Sequence, residues 1–307
     1  MIRRTQTIYV TLDPFLSLRG AVLHHFDQFL AGLDDAEFPC IWMTGLTRAQ
    51  LDEPRRRLGH HDPFIGESGC GVYLPEDYFH LKSGKTIRLG RFTCIPIAKP
   101  QPAAAEALED LSTELNISAV SLRTLTQREL SQNTGLPASE AEQIRMRDFD
   151  ELFFFAGASK SDIARFSEEA KLRGLTLENL GPFWSLSCGA DLAKCIRELG
   201  GLYDRALRAH ALRLGIAVSP SADASHALQA DAPLKSLAAA CDRTLLLTEQ
   251  QCTPELESRS GIVDPESSLM TATKNPRAAR ESREQDCFYL HSPQVWENVL
   301  ATILSRR

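Results

Sequence analysis

No apolar stretch of this 307-residue chain approaches the roughly 20 residues that span a bilayer, which excludes a membrane-spanning helix. The opening MIRRTQTIYVTLD has too few consecutive apolar residues for a secretory leader. The eight cysteines (Cys40, Cys70, Cys94, Cys188, Cys195, Cys241, Cys252, Cys287) form no C-x-x-C pair and no zinc-like spacing, so most of them are expected as buried thiols of a reducing compartment. Basic residues are scattered against a net charge of -6, apart from Arg55 to Arg57, so no stripe for nucleic acid exists. No internal repeat is present. The histidine pairs His24-His25 and His60-His61, the latter followed by Asp62, consist of adjacent residues that point in different directions, which disfavours metal ligation. The expectation is a soluble, cytoplasmic protein with no nucleic-acid or membrane partner.

What is present is enough apolar content, 43%, for a large core. TIYVTL, the helix-period LRGAVLHHFDQFLAGL, PCIWMTG and LTRAQLDEPRRRLG read as β-α-β-α, the order of a parallel sheet covered by helices. PFIGESGCGVYLP and FHLKSGKTIRLG carry Gly, Ser and Pro punctuation that suggests hairpins. An α+β segment follows: AAAEALEDLSTEL is a helix, TQRELSQNTGLPASEAEQIRMRD two helices broken at Gly135, ELFFFAG and FWSLSC strands, and SKSDIARFSEEAKLRG a capped helix between them. ADLAKCIRELGGLYDRAL then reads as helix, LGIAVSPS and RTLLLT as strands, and SPQVWENVLATILSRR as a closing helix. The predicted architecture is an α/β Rossmann-like parallel-sheet core interrupted by an α+β cap. The core occupies 1–88 and 186–307, the cap 89–185, and a polar, mobile loop 249–285. Trp42, Trp184 and Trp296 sit in apolar contexts and are expected in the core.

Ligands of such sheets bind outside the carboxyl ends of the strands. That directs attention to Thr11 to Pro14, Thr44-Gly45, Glu67 to Gly69, and Ser219 to Asp223.

These places resemble the haloacid dehalogenase superfamily of phosphohydrolases, and within it the mannosyl-3-phosphoglycerate phosphatases with their inserted cap. MTGLTRAQL is similar to that family's T-S-K-T-R-A-E segment, DPFIGESGCGVYLPEDYF to its P-F-I-x-E-N-G-x-x-I-x-x-P-x-x-Y-F, and TGLPASEAEQIRMRDFDEL to its T-G-L-P-x-x-x-A…R-E-x-x-E-P. The last two are long and specific. The resemblance implies the superfamily fold and a two-aspartate chemistry. One carboxylate attacks phosphorus, and a second protonates the leaving oxygen and then activates water.

Several positions depart from that pattern. Thr11 stands where the family has the nucleophile, while Asp13 stands at the second acid as a vestige. A carboxylate gives an acyl phosphate that water cleaves; a phosphothreonine is an alkyl ester at which the cycle would stall. Leu192 occupies the place of the D-K-G-K lysine, with Lys194 two residues on. Pro220 occupies the place of the metal acid, leaving Asp223 as the acid of SPSADA. Pro14 and Phe15 replace a glycine and a threonine of the phosphate loop. The family's magnesium ligands are thus largely lost, and no metal or other cofactor is expected.

The resemblance assigns substrate contacts to Thr44 and Gly45, to Glu67 and Ser68, and to Arg147 with Glu151 holding it. A helix cap at Thr44 and a purely backbone role for Gly69 are the plainer alternatives. LGPFW replaces the family's G-G-R-F, and Pro182 cannot make the arginine's contacts. The expected function is a non-catalytic protein related to these phosphatases, binding a phosphorylated sugar acid or a protein partner. An active phosphatase working through Asp13 in a rearranged site, and a subunit whose cleft Phe15 fills, are the alternatives.

Overall fold

The computed structural model describes residues 6–12, 26–79, 85–219, 232–248, 286–289, 292 and 294–305. In chain order, the first elements are β1 (Gln6–Thr11), α1 (Phe26–Asp35), β2 (Cys40–Met43), α2 (Arg48–Arg57), β3 (Phe64–Gly66), β4 (Gly71–Pro75), β5 (Ile87–Leu89) and β6 (Phe92–Pro96). Then come α3 (Gln101–Leu115), β7 (Ala119–Ser121), α4 (Gln127–Thr134), α5 (Ala138–Ile144), β8 (Glu151–Phe155), α6 (Lys160–Leu172), β9 (Thr176–Leu180) and β10 (Phe183–Ser187). The last are α7 (Leu192–Leu207), β11 (Leu212–Ser219), α8 (Ala232–Ala240), β12 (Arg243–Thr248), β13 (Asp286–Tyr289) and α9 (Val295–Ser305). The expected loop at 249–285 lies outside the described residues. The chain divides into two compact units, one from the residues up to Phe38 and from Leu212 onward, the other from Pro39 to Ala211.

In the first unit β1, β11, β12 and β13 pair side by side, all in parallel. β1 reads QTIYVT and is buried along its whole length, as a strand covered on both faces must be. A Cβ on Gly215 of β11 would lie 2.8 Å from Leu237 of α8, so the glycine lets that helix approach the sheet. Phe26 and Phe29 of α1 both pack on Trp296 of α9, with ring centroids 4.9 and 4.8 Å away.

In the second unit β2 and β3 run parallel, and β3-β4, β4-β6 and β6-β5 continue antiparallel, so the predicted hairpins are present. A separate antiparallel sheet has the order β7-β8-β10-β9. Its β8 alternates: Phe153 and Phe155 face a core shared with α3 and α6, while Leu152 and Phe154 face a second core with α4 and α5. Reciprocal capping boxes start α2 (Thr47, Gln50), α4 (Thr126, Glu129) and α6 (Ser159, Asp162).

Candidate functional site

Thr11 ends β1 and is buried. Its hydroxyl donates to the Ile216 carbonyl and accepts from the Val218 amide, each at 3.4 Å, so neighbouring β11 backbone occupies it on both sides. Asp13, Pro14, Phe15, Pro220 and Asp223 lie outside the described residues.

In the second unit the loop after β2 carries Thr44, 4% exposed. Its hydroxyl accepts the Leu46 amide at 3.0 Å, a local turn, while the cap of α2 is Thr47. The plainer alternative, Thr44 as helix cap, is therefore corrected. Facing this loop are three consecutive residues in left-handed backbone, Glu67 (φ 49), Ser68 (φ 54) and Gly69 (φ 94). Two are not glycine, and holding them costs on the order of 1–3 kcal/mol each.

What fastens the loop is visible. The Glu67 amide donates to Leu46 and the Ser68 amide to Thr44, at 3.2 and 3.0 Å. The fully buried Glu67 carboxylate accepts the amides of Asp148, Phe149 and Asp150 at 2.9, 2.8 and 3.2 Å. Gly69 has no freedom to be anything else: a Cβ there would lie 2.7 Å from the Leu192 amide nitrogen. It also accepts the Asp191 amide at 3.2 Å, so the start of α7 rests on this loop.

The expected partnership of Arg147 with Glu151 is not formed; Asp150 takes that place. Arg147 Nε and Nη2 both donate to Asp150, the latter at 2.8 Å, and Nη2 also donates to the Gly45 carbonyl at 2.6 Å. The Arg147 side chain is 3% exposed, so its guanidinium faces protein groups. The residue spacing explains the exchange. In the extended segment before β8, Asp150 projects toward the loop after β2, while its neighbour Glu151 projects to the other face. There Glu151, 1% exposed, accepts from Gln101 and Ser121 and lies 3.4 Å from Arg123. Asp150 was not singled out by sequence reasoning. Its i,i+3 spacing from Arg147 was the available signal.

Ser185 of β10 donates to Asp150 as well, which makes Glu67, Arg147, Asp150 and Ser185 a continuous buried polar group. Burial and then the Asp150 carboxylate push the Glu67 carboxyl up to about 8, against Arg147 and the Asp148 amide, which pull it down. Burial works against the charge on Arg147, but Asp150 outweighs it and raises the guanidinium pKa, so the charge is retained.

Leu192 opens α7, capped by Asp191, whose carboxylate accepts the Lys194 amide at 2.8 Å. Leu192 is half-buried beside Gly69, whereas Lys194 is exposed. A Cβ on Gly45 would meet Ser68 Oγ at 3.2 Å and Leu180 at 3.4 Å. The tip of the β9-β10 hairpin, where LGPFW stands, therefore covers the Thr44-Gly45 loop with an aliphatic side chain. Trp42 and Trp296 are core residues as expected, and Trp184 packs half-buried on Phe155.

Magnesium does not fit what Thr11 supplies: a neutral hydroxyl already bonded to β11 backbone in place of an anionic oxygen. Among the described residues no group of three or more His, Cys, Asp or Glu is arranged to hold a metal. No described helix is long and apolar enough to cross a membrane.

No family model matches the chain. It is 26% identical over 196 residues to the glucosyl-3-phosphoglycerate/mannosyl-3-phosphoglycerate phosphatase of Methanococcoides burtonii, covering 62% of this chain and 72% of that protein. It is 22% identical over 198 residues to the mannosyl-3-phosphoglycerate phosphatase of Pyrococcus furiosus, covering 62% and 78%. The chain resembles the haloacid dehalogenase superfamily. Its fold is mixed α/β, with a Rossmann-like parallel-strand sheet and a second, antiparallel sheet. Of the solved structures, SMU.1108c from Streptococcus mutans UA159 aligns with a TM-score of 0.54 at 10% identity, covering 98% of this chain and 99% of that one, a likeness of fold alone. The phosphatases named above are relatives at low identity.

Proposed function

We propose that this chain is a cytoplasmic, mannosyl-3-phosphoglycerate phosphatase-like protein that does not turn over phosphate esters and acts by binding a phosphorylated sugar acid or a protein partner. The observation that carries this reading is Thr11. It stands at the position that the resemblance gives to the nucleophile, and its hydroxyl is tied to β11 backbone instead of facing a base. Even if phosphorylated, it would form an ester that lacks the carboxylate leaving group on which the second half-reaction depends. Leu192 at the lysine position adds support, because a half-buried aliphatic group cannot neutralise phosphate charge.

The binding part of the proposal no longer rests on Arg147, which Asp150 and Gly45 consume. It rests on the Thr44-Gly45 and Glu67-Gly69 loops, whose backbone is fixed in place. The test is hydrolysis of mannosyl-3-phosphoglycerate and glucosyl-3-phosphoglycerate with magnesium, alongside calorimetric titration of both. Binding without phosphate release is the expected result. Magnesium-dependent release that Asp13→Asn abolishes would overturn it in favour of an active phosphatase.

A further inference from the structure

A cavity of about 520 Å³ opens along α2 in the second unit. It begins at the amino end of β2, where His60 meets Cys40, and not at the carboxyl end where Thr44 and Gly45 lie. Its inner wall holds Arg55, 4% exposed. Among the described residues no carboxylate lies within salt-bridge distance of Arg55. Its one hydrogen bond among the described residues runs from Nη1 to His60 Nδ1 at 2.9 Å.

The protonation of His60 follows from its other nitrogen. Nε2 lies 2.6 Å from the Cys40 carbonyl, which can only accept, so Nε2 carries the proton and Nδ1 is the lone pair that Arg55 uses. Histidine is therefore a neutral partner, and the guanidinium charge is countered at longer range by Asp62 and Asp52. The remaining contacts of Arg55 are aromatic: its guanidinium carbon lies 4.8 Å from the Phe64 ring centroid and 5.7 Å from that of Phe92. Arg91, at the rim, stacks on the same Phe92 at 5.2 Å and pairs with Asp52. Nε and Nη2 of Arg55 have no protein acceptor among the described residues, so both remain available to a ligand in the cavity.

We propose that this cavity is a binding site for a small oxyanion, a phosphate- or carboxylate-bearing molecule, held by Arg55 at the base and Arg56 and Arg91 at the rim. The guanidinium fork matches two oxygens of either group. Asp52 and Glu53 flank the mouth and Asp62 also acts on Arg55, so the three arginines are close to charge-balanced, which suits a small anion and disfavours polyanions. The volume lies within the range of small-molecule pockets and exceeds what a bare phosphate fills, and Phe92 and Pro75 offer an apolar wall to the remainder. This site is separate from the loops discussed above and stands whether or not the proposed function holds.

Calorimetric titration of the full chain with inorganic phosphate, and separately with malonate, tests it. The expected result is saturable binding of at least one of them, showing which oxyanion is preferred. Arg55→Met should weaken it by about tenfold or more, while Lys171→Gln, at an exposed position of α6, leaves it unchanged. Arg55→Met should also abolish the anion-dependent rise in melting temperature. If Arg55→Met does not fold, the exposed double replacement Arg56→Gln with Arg91→Gln decides, with several-fold weakening expected. No binding by wild type, or affinity unaffected by these replacements, overturns the proposal.

Discussion

Arg147 illustrates how a residue type can be read correctly and its role misassigned. Arginine preceded by a helix end and followed by acids looks like a ligand reader, yet here it closes a buried ion pair with Asp150 and clasps the Gly45 carbonyl. Truncating it leaves the Asp150 carboxylate buried without its cation. Arg147→Ala should therefore cost about 3 to 5 kcal/mol in denaturant unfolding, whatever its effect on ligands. A loss below about 1 kcal/mol would mean that the pair is solvated. Gly69 makes an independent case, because both its left-handed backbone and the Leu192 amide 2.7 Å from a would-be Cβ oppose substitution. Gly69→Ala should destabilise by at least about 2 kcal/mol, whereas Gly135→Ala, with nothing within 4 Å of its Cβ, suffers the backbone strain alone and should lose less. Equal losses in the two variants would show that the contact with α7 carries no energy.

At the scale of elements, β2 and α2 depend on a histidine kept neutral. Burial, then the Arg55 charge, hold His60 at about 3, against an ordinary value of 6.5. Because the unfolded chain takes up this proton and the folded one does not, the stability His60 contributes is complete above about pH 6.5 and is lost as pH falls toward 3. Subtracting the unfolding free energy of His60→Gln from that of wild type across this window should leave a slope that rises with pH. A flat difference would mean that His60 titrates normally. Groups facing the ring are Arg55, His61 and, through Cys40, Asp62, whose carboxylate accepts the Cys40 amide at 2.7 Å. The elements themselves were largely legible. β1, β2, β8, β10, β11 and β12 announce themselves as compact apolar runs, and α2, α4 and α6 by Thr or Ser with a polar partner three residues on. β9, reading TLENL, was not legible because it lies on a sheet edge with its side chains half exposed, and β7 was too short to show a period. α8 was hidden behind Pro233 and a run of alanines that carries helix propensity but little periodicity. The Glu67 latch was invisible for a different reason: its partners are backbone amides more than 80 residues away, and sequence patterns do not record amides.

For the molecule as a whole, the decisive question is whether one replaced atom group separates this chain from the phosphatases it resembles. Thr11→Asp puts a carboxylate back at the end of β1. A carboxylate can accept the Val218 amide but cannot donate to the Ile216 carbonyl, so it loses one of the two bonds that the hydroxyl makes. Lodging an anion at a site 8% exposed should cost about 1 to 3 kcal/mol. Activity is a separate matter. Residues that act as a unit are strongly non-additive, and on the proposed reading Leu192 stands at the lysine position and Pro220 at that of the metal acid. The single replacement should therefore yield a folded, less stable protein with no release of phosphate from mannosyl-3-phosphoglycerate, and 10-fold excess magnesium over enzyme, on the order of 10 µM to 1 mM, should leave its melting temperature unmoved. Turnover by Thr11→Asp, combined with a magnesium-dependent rise in melting temperature, would show that the remaining groups form a working site and that one side chain holds the chemistry in check.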